Sequence, residues 1–375
     1  MTGVIHLIQP QPPGSIGGAD LHIADLAEAQ REHGETVPRV LAIGNDDYTD
    51  LVRARGVAAS TASGVGDLVG RLGAVLARQP GPAVVHSHGY EGDFAAARSR
   101  LARHRTADGR RPVYVATAHG WVRTGPRLRT KTVVDHGCLR LFDAVITSCP
   151  RESERLARRP GLPPVRFVAN GVRVPAPTDR RVLRDRLGVA PDRRVVGFVG
   201  RLAPEKRPDL FVDMAARLVP DHGDVHFALF GGGPDLAATG RRVERRDLGH
   251  RVHVAGYWPD AAAILSGLDL LVCCSDAEGT PRAVIEAMAY GIPVVATRVG
   301  GVGTLVADGL TGRLVPRGDA AAAARAVAAL LADPATAARY GAAGRERVAQ
   351  QFTLERMRAA VAAVYAETQA RARKG

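Results

Sequence analysis

Short apolar runs alternate along the chain with stretches whose apolar positions recur every three to four residues. The first series of runs lies at 4–9, 37–42, 83–88, 113–118, 144–147 and 165–169. Helical patterns stand between them, at 19–33, 67–78 and 93–104 among others. A run without polar alternation predicts a strand buried on both faces. Such strands separated by helices predict a parallel sheet covered on both sides. A second series repeats the scheme, with strands at 194–199, 225–230, 252–255, 270–273, 294–297 and 313–315. Its helices fall at 207–218, 235–248, 261–267, 281–290 and 320–331. Between the series, Asn170-Gly171 and the two prolines Pro175 and Pro177 read as a linker. The pattern therefore predicts two doubly wound α/β domains, residues 1–175 and 176–352. A chain of 375 residues is also too long for one core. A last helical pattern, over 353–375, carries the stripe Met357, Val361, Val364 and Tyr365 after a candidate N-cap at Thr353. It serves its own domain or straps the two together.

In sheets of this kind ligands bind beyond the carboxyl ends of the strands, and in a two-domain protein the crevice between domains is the expected place. Gly17 and Gly18 open the first helix. They let the backbone approach an anion where free N–H groups and the helix dipole favour one. His88 and His119 each stand just past a strand and before a glycine, placed to face a crevice. Arg123, Arg127, Arg129 and Lys131 make a cationic segment suited to an anionic acceptor or to anionic lipid headgroups.

The second domain carries the sharper signal. After strand 194–199 comes Gly200-Arg201-Leu202-Ala203-Pro204-Glu205-Lys206, which sets two cations five positions apart across a turn. Arginine offers a fork and lysine a point charge, so both can address one diphosphate. After strand 270–273 comes Glu278-Gly279-Thr280-Pro281-Arg282-Ala283-Val284-Ile285-Glu286. Thr280 is the expected N-cap and Pro281 the expected first helical residue. Glu278 and Glu286 are then placed to accept hydrogen bonds from two sets of sugar hydroxyls, those of a transferred sugar and of a ribose. The helix start at Gly279, Thr280 and Pro281 would favour phosphate. Breaking a sugar–diphosphate bond leaves negative charge that cations must meet. No Asp-x-Asp follows a strand, so Arg201 and Lys206 are expected to do this without metal or other cofactor.

Composition changes the picture little. The net charge is +13, and of 51 basic residues only Lys131, Lys206 and Lys374 are lysines. Against that arginine background Lys206 stands out. Nucleic acid is not the expected partner, because aromatics are 5% and neither zinc-finger nor RNA-binding signatures occur. Cys138, Cys149, Cys273 and Cys274 lack metal-ligand spacing and read as reduced thiols. No apolar run reaches the roughly 18–20 residues that span a bilayer, and the first residues lack a secretory signal. The expected location is the cytoplasm, with peripheral membrane contact through the cationic segment.

Gly200-Arg201-Leu202 with Glu205-Lys206, Phe230-Gly231-Gly232-Gly233-Pro234, Glu278 to Glu286 with Ala287-Met288-Ala289, and Gly291-Ile292-Pro293-Val294 resemble glycosyltransferase family 4. The resemblance covers nearly the whole chain and is strongest over 195–318. It implies the GT-B fold, two Rossmann-like domains facing across a crevice, and retention of anomeric configuration. It also implies that Arg201 and Lys206 bind the donor diphosphate, Glu278 the donor-sugar hydroxyls and Glu286 the ribose. By the same resemblance Gly17 and Gly18 cap the phosphates, His119 lies against the donor sugar, and the last helix returns to the N-terminal domain. The chain departs from the family where Gly300-Gly301-Val302-Gly303 leads to Thr304 instead of glutamate, and at Thr280, where a bulkier apolar residue is common. The expected activity is metal-independent hexosyl transfer from a nucleoside diphosphate sugar to a hydroxyl acceptor, either a glycolipid or a small metabolite. The alternatives are a nucleotide-sugar epimerase and a non-catalytic nucleotide-sugar-binding protein.

Overall fold

The computed structural model describes residues 1–12, 16–119, 133–173 and 176–374. The chain forms two compact units, Met1–Gly171 with Leu354–Gly375, and Val172–Thr353. Each is built on one parallel sheet.

The first unit has seven strands: β1 (Thr2–Ile8), β2 (Thr36–Ile43), β3 (Ala58–Ala62), β4 (Ala83–His88), β5 (Val113–Ala118), β6 (Ala144–Thr147) and β7 (Val165–Phe167). Their order is β3-β2-β1-β4-β5-β6-β7, so the winding reverses between β1 and β4. There the register pairs His6 with His86 and Ile8 with His88. One strand, β3, escapes the apolar pattern because Ala58-Ala59-Ser60-Thr61-Ala62 contains no large apolar side chain. It lies at the sheet edge and is held by pairing along β2 from Arg39 to Ile43.

Two helices cover one face of this sheet. The stripe Leu26 and Ala29 of helix Gly18–His33 packs with Met357, Val361, Val364 and Tyr365 of helix Leu354–Lys374 over Val4, Val84, Val113 and Ile146. The last helix therefore buries its apolar side in the first unit. Gly171 N–H also donates to the Met357 sulfur at 3.2 Å.

The second unit has six strands: β8 (Arg194–Val199), β9 (Val225–Phe230), β10 (Val252–Gly256), β11 (Leu270–Cys273), β12 (Val294–Thr297) and β13 (Gly312–Val315). Their order is β10-β9-β8-β11-β12-β13, with the reversal between β8 and β11. The core joins Phe198, Leu202, Phe211 and Phe227 to Leu330 and Tyr340. Helix Pro334–Gln351 is absent from the apolar pattern, since mostly small residues carry its buried face: Gly341, Gly344 and Val348, with Tyr340. Its start was nonetheless marked, by Asp333 accepting from Thr336 N–H at 3.0 Å and by Pro334 in the first turn.

Two of the sequence motifs meet in this unit. Leu202 N–H donates to the Gly232 carbonyl at 2.8 Å, and Gly200 N–H to that of Phe230 at 2.9 Å. The triple glycine lies directly against the turn that carries Arg201 and Lys206. A Cβ on Gly231, at φ +144°, would sit 1.9 Å from the Gly200 carbonyl oxygen. Backbone strain and overpacking then add, so Gly231→Ala is expected to lower unfolding free energy by roughly 3 kcal/mol or more. Urea midpoints with unchanged slope are the measurement; an unchanged midpoint contradicts it.

Candidate functional site

The reversal between β8 and β11 brings two distant loops together at the carboxyl edge of the second sheet. After β8 the chain turns through a short 3₁₀ segment, Pro204–Lys206. After β11 it runs through Ser275 to Glu278. Lys206 Nζ donates to both carboxylate oxygens of Glu278, at 2.6 and 2.7 Å. Ser275 Oγ donates to Glu278 Oε1 at 2.6 Å. Burial works against the ammonium charge, but the adjacent Glu278 carboxylate outweighs it and holds Lys206 above its ordinary value. Burial, then the same carboxylate, pushes the neighbouring Cys273 thiol up to about 11, so it stays protonated. All four cysteines are free thiols.

The flanking charges are matched as well. Arg201 pairs with Glu205 at 2.6 Å, and Arg282 with Glu286 at 2.7 Å, one helical turn on. Arg207 pairs with Asp209 at 2.9 Å and Asp276 at 3.4 Å, and Arg317 also reaches Asp276, at 2.9 Å. Asp276 N–H donates to the Glu205 carbonyl at 2.7 Å, tying the two loops at the backbone. Arg201 remains exposed at the rim.

Backbone beneath Glu278 is fixed by the loop after β12. Gly301 N–H donates to the Glu278 carbonyl at 3.2 Å. Gly300, at φ +47°, lies so close that a Cβ would stand 1.8 Å from that oxygen. The double glycine that departs from the family pattern at Thr304 thus still seats Glu278. Helix Arg282–Ala289 begins one residue later than expected. Pro281 occupies the N-cap in extended conformation, and Thr280 precedes it, 2% exposed. Proline suits either place, because its fixed φ fits a helix start as well as an extended loop and its ring keeps Thr280 extended in both. Thr280 is therefore part of the loop wall, and Arg282, a cation, fills the first turn.

At the reversal of the first sheet, helix Gly18–His33 starts after the N-cap Gly17. Asp20 accepts from Gly17 N–H at 2.7 Å and from Gln11 N–H at 3.2 Å. Burial raises the Asp20 carboxyl to about 6 despite those bonds. The Gly17 amide expected to meet an anion is thus already occupied, and the amide of Gly18 is the next along the helix start.

Histidines dominate the rest of this edge. Even-numbered positions of β1 and β4 face the two covering helices, which sets His6, His86 and His88 on one side. His88, expected at the crevice, is 4% exposed. Its Nε2 meets His6 Nδ1 at 3.0 Å and its Nδ1 meets His119 Nε2 at 3.1 Å. The strand end turns it inward because it shares the inward face with His86. His119 is part-exposed beyond β5, with His22 edge-on at 4.8 Å. Burial lowers His6 and His119 to about 4, and lowers His86 and His88 well below the ordinary value. Two histidine triads, His6–His86–His88 and His22–His88–His119, have ligand atoms within 4.8 Å of one another. Both need His88, whose two nitrogens are taken by His6 and His119, so the set fits a hydrogen-bonded chain better than a metal. Arg123 and Arg127 lie outside the described residues.

Residues 179–347 match the family profile described as glycosyl transferases group 1, and residues 16–175 that described as glycosyltransferase family 4. An α-maltose-1-phosphate synthase of Mycobacterium tuberculosis is 33% identical over 93% of this chain and 95% of its own length. The chain belongs to glycosyltransferase family 4. Another member, D-inositol 3-phosphate glycosyltransferase 2 of Catenulispora acidiphila, is 34% identical over 60% of this chain and 56% of its own length. The fold is GT-B. The structure of Anabaena HepE in complex with UDP-glucose superposes with a TM-score of 0.82, at 22% identity over 97% of this chain and 99% of that one. Sucrose-phosphate synthase from Thermosynechococcus elongatus gives 0.79, at 23% identity over 98% and 99%. Within this family 4 enzyme, motif reading passed over Ser275, Asp20, His6 and His86. The histidines had a signal: a polar residue inside an otherwise apolar buried strand needs a partner. Ser275 had none beyond lying three positions before Glu278.

Proposed function

We propose that the enzyme transfers a hexose-type sugar from a nucleoside diphosphate donor to a hydroxyl acceptor, with retention and without metal. The observation that carries this is the contact of Lys206 with Glu278 at the reversal between β8 and β11, where doubly wound sheets hold ligands. In this reading Arg201 and Lys206 meet the diphosphate as the sugar–phosphate bond breaks, replacing a metal as the electrophile. Lys206 is preset by Glu278 and needs no reorganisation to hold its charge.

Glu278 has one hydrogen bond at Oε2, so that oxygen keeps room for a sugar hydroxyl. Glu286 takes the ribose. Gly279, Thr280 and Pro281 form the wall before the helix, Gly18 and the start of the first helix serve the phosphates, and His119 serves the sugar. The new bond forms on the face the phosphate leaves, and the acceptor proton passes to the departing phosphate oxygen. No side chain is required as nucleophile.

The acceptor is best sought first among phosphorylated small molecules. The names of two relatives, α-maltose-1-phosphate synthase and D-inositol 3-phosphate glycosyltransferase, contain such compounds, and the net charge of +13 favours anions. Among the described residues no helix is long and apolar enough to cross a membrane. A panel of nucleotide sugars should raise the melting temperature selectively, and pooled sugar phosphates should then release nucleotide with EDTA present. Donor conversion without acceptor marks an epimerase; binding with no release in any acceptor pool marks a binding protein. Loss of turnover in EDTA, restored by a divalent cation, overturns metal independence. Glu286→Ala is expected to raise the donor KM about tenfold or more, the loss of a charged hydrogen bond to a hydroxyl; an unchanged KM removes Glu286 from the ribose.

A further inference from the structure

Six side chains of the first unit, from His119 to His86, form one continuous hydrogen-bonded line, which His86 Nε2 extends to Thr117 Oγ1 at 2.6 Å. His119 Nε2 lies 3.1 Å from His88 Nδ1, His88 Nε2 lies 3.0 Å from His6 Nδ1, and His6 Nε2 lies 2.9 Å from Gln30 Oε1. Gln30 Nε2 donates to Tyr365 Oη at 3.4 Å, and Tyr365 Oη lies 2.6 Å from His86 Nδ1. The line joins β1, β4, the loop after β5 and both covering helices. Every member is buried except His119, which alone reaches the surface.

The chemistry of Gln30 gives this line a direction. An amide oxygen only accepts, and an amide nitrogen only donates. His6 Nε2 must therefore carry the hydrogen it gives to Gln30 Oε1. The interior keeps these imidazoles neutral at pH 7. A neutral ring has one donor and one acceptor, so His6 Nδ1 accepts. His88 Nε2 then donates and His88 Nδ1 accepts. His119 Nε2 donates in turn, and His119 Nδ1 is left as a bare lone pair. One residue thus sets the tautomer of a ring three side chains away.

We propose that Gln30 is a positioning residue for glycosyl transfer. Through His6 and His88 it holds His119 in the Nε2–H tautomer, so that Nδ1 accepts the hydrogen of a sugar hydroxyl. This rests on His119 serving the sugar in the reading above. A ring locked as an acceptor takes a hydroxyl hydrogen without rearranging, and it does not donate from that nitrogen. Tyr365 supports the lock by holding the amide nitrogen of Gln30 away from His6.

The test uses the full chain labelled with ¹⁵N-histidine, with His119 assigned by its loss in His119→Gln. Two-bond ¹H–¹⁵N correlation near pH 7.5 is expected to show His119 protonated at Nε2 and bare at Nδ1. Gln30→Met, with melting temperature checked, is expected to turn that single pattern into a mixture of tautomers. It is also expected to cut kcat/KM for the donor about tenfold, one hydrogen bond's worth. A hydrogen on His119 Nδ1 in the natural protein overturns the proposal, as does a pattern unchanged in Gln30→Met. The natural protein's spectrum decides the first point even if the variant does not fold. UDP-glucose, as probe, is expected to move the Nδ1 signal. With the tautomer as stated, saturating probe that stabilises the fold yet leaves Nδ1 in place overturns the hand-over to a hydroxyl, while failure of any nucleotide sugar to bind overturns the donor reading instead.

Discussion

Lys206→Ala is expected to cut turnover by about 10²–10³-fold, the cost of removing one preorganised partner of a developing oxyanion. It is also expected to weaken the fold. Lys206 gives Glu278 a hydrogen bond at each oxygen, and Glu278 is 8% exposed at its side chain. Removing the ammonium leaves that carboxylate only neutral donors, Ser275 Oγ at 2.6 Å and the Cys273 thiol at 4.0 Å, both on Oε1, and breaking a buried pair from one side costs roughly 3–5 kcal/mol. A loss of activity could then be a loss of protein. The double substitution Lys206→Met with Glu278→Gln separates the two effects. It removes both charges, so most of the stability is expected to return while turnover stays low. Lys206→Arg is expected to recover the fold partly and turnover poorly, because a planar fork does not fill the place of a point charge. Nucleotide release at saturating donor and urea midpoints are the two measurements. Near-normal turnover in folded Lys206→Ala removes the diphosphate role.

How much of this was legible in the chain depends on the range of the interaction. Strands such as β5, β8 and β11 are mostly apolar and buried, as a covered parallel sheet demands, so local pattern suffices. The motif at Arg201–Lys206 and that at Glu278–Glu286 were also visible, each at the end of such a strand. Their contact was not. Lys206 and Glu278 are 72 positions apart, and they meet because β11 returns beside β8. Only strand order decides that, and strand order is a property of the crossovers.

Three features escaped for different reasons. Strand β3 is short, small in its side chains and at an edge, where neighbours in space supply what composition lacks. Helix Pro334–Gln351 buries Gly341 against backbone: a Cβ there would meet the Gly291 carbonyl oxygen at 2.0 Å, a close approach that no hydrophobicity pattern records. His88 was expected to face a crevice because it ends a strand. Its alternation with His86 carried the better information, since both must share a face. The one-residue slip at Thr280 and Pro281 belongs to another category: both arrangements use the same residues, and loop packing chooses between them.

Acid is expected to unfold the first unit before carboxylate titration alone would do so. A folded chain protonates His6 only near pH 4, against 6.5 when unfolded. Between those values the unfolded chain binds more protons, so stability is full above about 6.5 and falls as pH drops to about 4. For His6, which is fully buried, this amounts to roughly 3 kcal/mol. His86 and His88 titrate lower still, and the groups acting on His86 after burial are His6, His22 and His119, all of one sign. Protonating one imidazole also forces two donors to face each other in a line that alternates donor and acceptor, which opposes a second proton. Unfolding free energy from urea titrations at steps between pH 7.5 and 4.5 should therefore slope steeply. In His6→Asn the slope is expected to fall by up to about 1.4 kcal/mol per pH unit, one proton's worth, though the variant is less stable at pH 7.5. The Asp20 carboxyl, raised to about 6, acts in the opposite sense: its folded form holds a proton that the unfolded form releases above about 4. Asp20→Asn should steepen the profile where His6→Asn flattens it. A slope indifferent to His6→Asn would mean that the histidine line is hydrated and titrates in the folded protein.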